Sequence, residues 1–198
     1  MPRISEATVA QHRAVQHRAV LDAAEKLIVA GGGKVPTLAE VATEVGLARS
    51  SVYLYVSSRE DMVIQLLLET IPAWLQELTG KLEGAGTDPG DRLAAYVRVT
   101  LRLFVEGSHG PLMVAAQAYP GAFVDERVQR AHNGLEPALR TLLGEGVDIV
   151  RPLIDAAIQR GAELVTQSGA DVEAVSAVLQ RMARASLAGD LDDPGGRH

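Results

Sequence analysis

The stretch that decides the fold is Thr37-Leu38-Ala39-Glu40-Val41-Ala42-Thr43-Glu44-Val45-Gly46-Leu47-Ala48-Arg49-Ser50-Ser51-Val52-Tyr53-Leu54-Tyr55-Val56-Ser57-Ser58-Arg59-Glu60-Asp61-Met62. A threonine that caps free backbone amides, with a glutamate three residues on that reaches back, opens a helix at Thr37 and Glu40. That helix turns Val41, Ala42 and Val45 inward and must stop near Gly46. A second short helix is expected from about Ala48 to Tyr55. Ser57 or Ser58, followed at capping distance by Glu60 or Asp61, then starts a long helix reaching about Lys81.

Upstream, residues 11–30 carry Val20, Ala24, Leu27 and Ile28 at helical spacing, and Gly31-Gly32-Gly33 closes the run. Because it follows a helix and not a strand, the triple glycine reads as a terminator rather than a phosphate loop. His12-Arg13-Ala14-Val15 repeats as His17-Arg18-Ala19-Val20. Its five-residue period fits neither helix nor heptad, so no architecture is expected of it. A longer first helix, then two short helices joined by a glycine-containing turn, form a three-helix unit suited to DNA.

Downstream, Gly84-Ala85-Gly86-Thr87-Asp88-Pro89-Gly90 is a loop. Helices are expected at about 91–107, 111–119, 122–143, 148–166 and 171–189, with a break near Asn133-Gly134 suggested by Pro137. Pro72 should kink the long helix that contains it. No strand is expected. The predicted fold is all-α, an N-terminal helix-turn-helix DNA-binding domain at 1–58 and a C-terminal helical ligand-binding and dimerisation domain at 59–190. Residues 191–198 read as a disordered tail.

Composition agrees with this reading, at 47% hydrophobic and only 4% aromatic residues, rich in helix formers. The absence of cysteine excludes disulfides and thiolate metal sites. No apolar run approaches a membrane span or a signal peptide, so a cytoplasmic protein without membrane partner is expected. The net charge of −6 is uneven. Seven Lys/Arg stand against six acids in residues 1–60, and twelve against nineteen thereafter. An acidic body does not veto DNA binding, because phosphate affinity depends on where the cations sit.

Residues 37–62 resemble the TetR family. The shared features are the Thr cap and its acid, the Val41-Ala42 pair, the glycine turn, Ser51-Val52-Tyr53 with Tyr55-Val56, and Ser58-Arg59-Glu60 before an apolar residue. Arg18 to Ile28, with Ala23-Ala24 and Leu27-Ile28, also resembles the family's first helix. Ala48 departs from the family's usual Ser or Thr, and lacking such a cap costs a helix about 1 kcal/mol. The resemblance implies a ligand-responsive transcriptional regulator, most simply a repressor. It would bind a near-palindromic double-stranded DNA operator as a homodimer and be released by a small-molecule effector. No cofactor and no enzymatic activity are implied.

With Val52 and Val56 facing the core beside Leu47, the second short helix leaves Arg49, Ser50, Tyr53 and Leu54 for the major groove. Arg49 suits guanine, small Ser50 permits close approach, and Leu54 suits a thymine methyl or sugar. Ser51, Tyr53, Tyr55 and Arg59 resemble the family's phosphate-contacting positions, and Thr37 opens a helix whose amides can hold another phosphate. Plainer readings stand beside these: Tyr53 as half-buried core, Arg49 as solvated charge, Arg59 as support for the next helix. Arg18 and Lys34 read as surface charges.

In the body, Val150, Leu153, Ile154, Ala157 and Ile158 form one apolar face, and Val172, Val175, Val178, Leu179 and Met182 another. They serve either a dimer bundle, as the resemblance implies, or the core. Trp74, Tyr96, Phe104, Met113, Gln117, Tyr119, Phe123 and His132 are the larger or polar side chains in an Ala/Val/Leu-rich background, and are the candidate ligand-binding residues. His132 and Glu136 lie four apart, but a metal site would need more ligands than this pair. A helical ligand-binding or adaptor protein with lapsed DNA binding is the alternative, with Ala48 as its best support.

Overall fold

The structure, a computed structural model, describes residues 6–133, 135–143 and 147–187. The expected tail at 191–198 lies outside them. Among the described residues there is helix and no strand. The chain divides into two compact units, one of residues 1–71 and 108–131, the other of 72–107 and 132–198.

In the first unit, α1 (Glu6–Ala30) buries Val20, Leu21, Ala24 and Ile28. It ends as the triple glycine dictates. The amide of Gly33 donates to the Ile28 carbonyl (2.8 Å) and that of Gly32 to Val29, with Gly32 at φ 60°. Such a closure consumes orphan carbonyls and needs a left-handed residue. α2 (Leu38–Val45) has the expected start, the Thr37 hydroxyl accepting from the Glu40 amide while Glu40 accepts from the Thr37 amide at 2.7 Å. The same contact with the Thr37 amide holds the Glu40 carboxyl below its ordinary range. It stops by the same device as α1, with Gly46 at φ 73° and the Leu47 amide bonded to Ala42.

α3 (Arg49–Val52) is four residues long, shorter than expected, and a tight turn follows in which Leu54 and Tyr55 bond back three residues to Ser51 and Val52. α4 (Arg59–Glu83) starts at Ser58, whose hydroxyl accepts from the Asp61 amide, while Asp61 accepts from Ser57. Pro72 lies inside it, and the division between the compact units falls at this residue. α6 (His109–Gln117), α7 (Pro120–Val124) and most of α8 (Glu126–Asn133) complete the first unit, adding Leu112, Ala115, Ala116, Ala122 and Val128 to its core.

The second unit contains the rest of α4, α5 (Pro89–Glu106), α9 (Leu135–Leu143), α10 (Val147–Ser168) and α11 (Val172–Leu187). α5 packs on both α10 and α11, and Leu93, Val97 and Leu101 of α5, Ile154 and Ile158 of α10 and Leu179 of α11 are buried. The stretch expected as helix at 122–143, with a break near Asn133-Gly134, is three helices. Extended Asp125 parts α7 from α8, and Pro137 falls in the first turn of α9, where its missing N–H breaks no helical bond.

Two glycines separate backbone strain from steric fit. At Gly33, φ is 97° and an added Cβ would lie 2.6 Å from Val114 of α6, whereas at Gly46, φ 73°, nothing lies within 4 Å. Gly46→Ala should therefore cost about 1–2 kcal/mol, the left-handed penalty alone. Gly33→Ala should cost about 2–4 kcal/mol, because overpacking adds to that penalty. Paired urea melts of the two variants measure the difference.

Candidate nucleic-acid interface and effector region

The recognition turn hangs on two valines. Val52 and Val56 are fully buried, and Leu47 packs partly buried beside them. Arg49 and Ser50 are exposed, as are Tyr53 (48%) and Leu54 (64%), while Ser51 is half-buried. One turn apart, Arg49 donates to the Tyr53 hydroxyl over a long 3.4 Å. Ala48 provides no side-chain cap. Thr37 is exposed at the start of α2.

The tyrosine Tyr55 is half-buried, with its ring stacked on His17 at 6.2 Å. His17 Nε2 donates to Gln65 Oε1 (2.5 Å), and Gln65 Nε2 donates in turn to the Tyr55 carbonyl and to Asp61. Arg13 donates to the Leu54 carbonyl at 3.3 Å. The sequence reading missed Arg13, His17 and Gln65. The available signal was the repeat: one residue from each copy, Arg13 and His17, stand four apart and so share a helix face. Both reach the recognition turn.

Arg59 turns inward. Its guanidinium donates to the Pro36 carbonyl at 3.1 Å and to that of Val35, and lies 5.7 Å from the Tyr119 ring centroid. Arg18 pairs with Asp22 and Glu69 on the surface.

The eight candidate ligand residues fall in both units. In the first, Met113 and Tyr119 pack against the core, while Gln117 and Phe123 are exposed. In the second, Trp74 and Phe104 are half-buried, Tyr96 is buried and His132 is exposed. The Tyr96 hydroxyl donates to Asp155 of α10 at 2.6 Å, and Arg151 pairs with the same carboxylate at 3.5 Å. Burial first, and then Asp155, push the Tyr96 phenol above its ordinary range. Thr100, one turn further along α5, is buried with its hydroxyl unbonded among the described residues. Sequence reading missed Asp155 and Thr100. A cleft of about 590 Å³ in this unit is lined by Glu77, Lys81, Arg98, Arg102, Glu106 and Glu173, with none of the eight candidates among its lining. The side chain of Glu136 lies outside the described residues, and no group of three metal-binding side chains occurs among those described.

The apolar faces of α10 and α11 divide. Val150, Ile154 and Ile158 point into the core, as does Leu179, but Ile149 (78%), Leu153 (68%), Val178 and Met182 are exposed. Leu153, expected with Val150, thus belongs to the outer face. Among the described residues no helix is long and apolar enough to cross a membrane.

Residues 20–66 match the family model of bacterial regulatory proteins, tetR family. The chain carries a TetR-family helix-turn-helix domain. Curated proteins give no match. Among solved structures, a TetR family transcription regulator from Marinobacter aquaeolei superposes with a TM-score of 0.66 at 15% identity, over 89% of this chain and 97% of that one. FadR from Bacillus subtilis in complex with stearoyl-CoA gives 0.62 at 16%, over 86% and 98%. LfrR from Mycobacterium smegmatis in complex with proflavine gives 0.59 at 19%, over 86% and 96%. These likenesses show that the TetR-like all-helical fold extends through most of the chain.

The Tyr96–Asp155 bond joins α5 to α10 with its phenol buried and its carboxylate half-buried. Tyr96→Phe removes the donor from a carboxylate and should cost about 1.5–3 kcal/mol, read as a lower urea midpoint with unchanged m-value.

Proposed function

We propose that the protein is a ligand-responsive transcriptional repressor that binds a near-palindromic operator as a homodimer and leaves it when a small molecule binds. One observation carries this reading. The outer side of the recognition turn, anchored by buried Val52 and Val56, presents Arg49, Ser50, Tyr53 and Leu54 to solvent. In a major groove Arg49 would donate twice to a guanine edge, Ser50 would let the backbone approach, and Leu54 would meet a thymine methyl or sugar. Ser51, Tyr53 and Tyr55 would fix register on phosphates, with Thr37 at the start of α2. Residues 1–58 would form the reading head and 59–190 the body.

The outer face of α10 and α11 supports the dimer. Ile149 and Leu153 are one turn apart, as are Val178 and Met182, and large exposed apolar side chains in such rows mark an association surface. Two heads related by a two-fold axis would read half-sites about 34–36 Å apart, or a multiple of that spacing. The effector would bind in the body near Tyr96, Trp74 and Phe104, with Asp155 and Thr100 as polar handles. An effector with a large apolar part and at least one hydrogen-bonding group fits that set. It must bind the DNA-incompetent state more tightly, and DNA must weaken its binding in return.

Uncapped Ala48 favours a second reading, a helical ligand-binding protein with lapsed DNA binding. Selection from random duplex DNA separates the two, since lapsed binding enriches no sequence. On the selected duplex, Arg49→Ala should lose about 1–3 kcal/mol and relax preference at one base position. An unchanged consensus would remove Arg49 from base reading. Leu153→Glu should convert the dimer to monomer by light scattering and lower operator affinity. A variant that stays dimeric would place the interface elsewhere.

A further inference from the structure

We infer that Arg59 is a positioning residue that holds the start of α2 in place for DNA binding, that Tyr119 holds Arg59, and that its charge is not used on a phosphate. The inference rests on the DNA-binding reading above. The family resemblance implies a phosphate contact for this cation, but the geometry uses its donors otherwise. Two of its nitrogens fork onto the successive carbonyls of Val35 and Pro36. Those residues are buried in the link between α1 and α2, immediately before the Thr37 cap. No backbone amide among the described residues reaches either carbonyl. Pro36 also has no N–H to tie the link down. A planar guanidinium suits two adjacent acceptors, whereas an ammonium is a single point of donation.

The other side of this clasp is the corner between α6 and α7. The Tyr119 ring lies against the guanidinium at a cation–π distance. The next side chain of α4, Glu60, occupies the space beside Gly121, where a Cβ would stand 2.0 Å from its carboxylate oxygen. Residues 59 and 60 thus meet residues 119 and 121 in turn. The α6–α7 corner backs the cation that fixes the α1–α2 link, and that link sets where α2 begins.

The test uses the duplex that the wild-type protein selects from a random pool. Affinity is measured between about 50 and 300 mM KCl for Arg59→Lys, Arg59→Gln, Tyr119→Leu and the Arg59→Gln/Tyr119→Leu double variant. Hydrogen exchange of the α2 amides is followed in the free proteins. Positioning predicts that Arg59→Lys, with charge kept, weakens binding about tenfold with an unchanged salt slope. Tyr119→Leu should weaken it in the same way, and the double variant should be no worse than the poorer single. Amides 38–40 should exchange faster in all four variants. A phosphate contact predicts the reverse: wild-type affinity for Arg59→Lys and Tyr119→Leu, and a slope reduced by about 0.9 for Arg59→Gln. That result, or unchanged exchange at 38–40, overturns the inference. A wild-type protein that enriches no duplex overturns the DNA-binding reading itself, and the exchange data then decide the clasp alone.

Discussion

Four residues of α-helix cannot hold themselves together in water, because nucleation costs more than one turn of hydrogen bonds returns. The helix that presents Arg49 and Ser50 to solvent is that short, Arg49–Val52, and it starts without a side-chain cap. Its shape must therefore come from outside. Val52 and Val56 pin it to the core from beneath. Arg13 and Gln65 take the carbonyls of Leu54 and Tyr55 at its far end, where a helix leaves acceptors unsatisfied. His17 lies against Tyr55. Residues on α1 and α4 thus set the shape of this turn from behind.

The same dependence runs outward through the first unit. α1, α2 and the beginning of α4 form the immediate support, and α6 to α8 close the core around them. Gly33 allows α6 to approach the end of α1, and Gly121 allows α7 to approach Glu60. A side chain at either position would hold the elements apart. The link between α1 and α2 has few bonds of its own and is fixed through Arg59.

Much of this was legible in the sequence because its signals are local. The Thr37–Glu40 capping pair, the stops at Gly31-Gly32-Gly33 and Gly46, the serine start of α4 and the valine anchors each lie within a few residues of what they determine. The length of α3 was not legible. Apolar spacing from Leu47 to Val56 suits a helix, but without a cap at Ala48 the last turn tightens instead. Nor were the partners of the recognition turn, since Arg13 and Leu54, or His17 and Gln65, are more than forty residues apart in the chain. On α10 the apolar stripe is wide enough to face two ways, so spacing alone joined exposed Leu153 to buried Val150. Size and polarity drew the candidate ligand residues from both compact units. The polar groups beside Tyr96 on α5 and α10 include buried Thr100 and half-buried Asp155, which nothing in their local sequence distinguishes.

The place of Trp74 has a practical side. It is the chain's one tryptophan, half-buried on α4 two residues beyond Pro72, where the chain passes from one compact unit to the other. Indole emission shifts with the polarity around the ring, so the native fluorescence of this protein reports on a single point of a single helix. There is also no cysteine, so a thiol introduced at any chosen residue would be a unique site for an energy-transfer acceptor. The molecule thereby carries its own donor at the junction, and distances from that junction to either unit can be followed in solution with one substitution each.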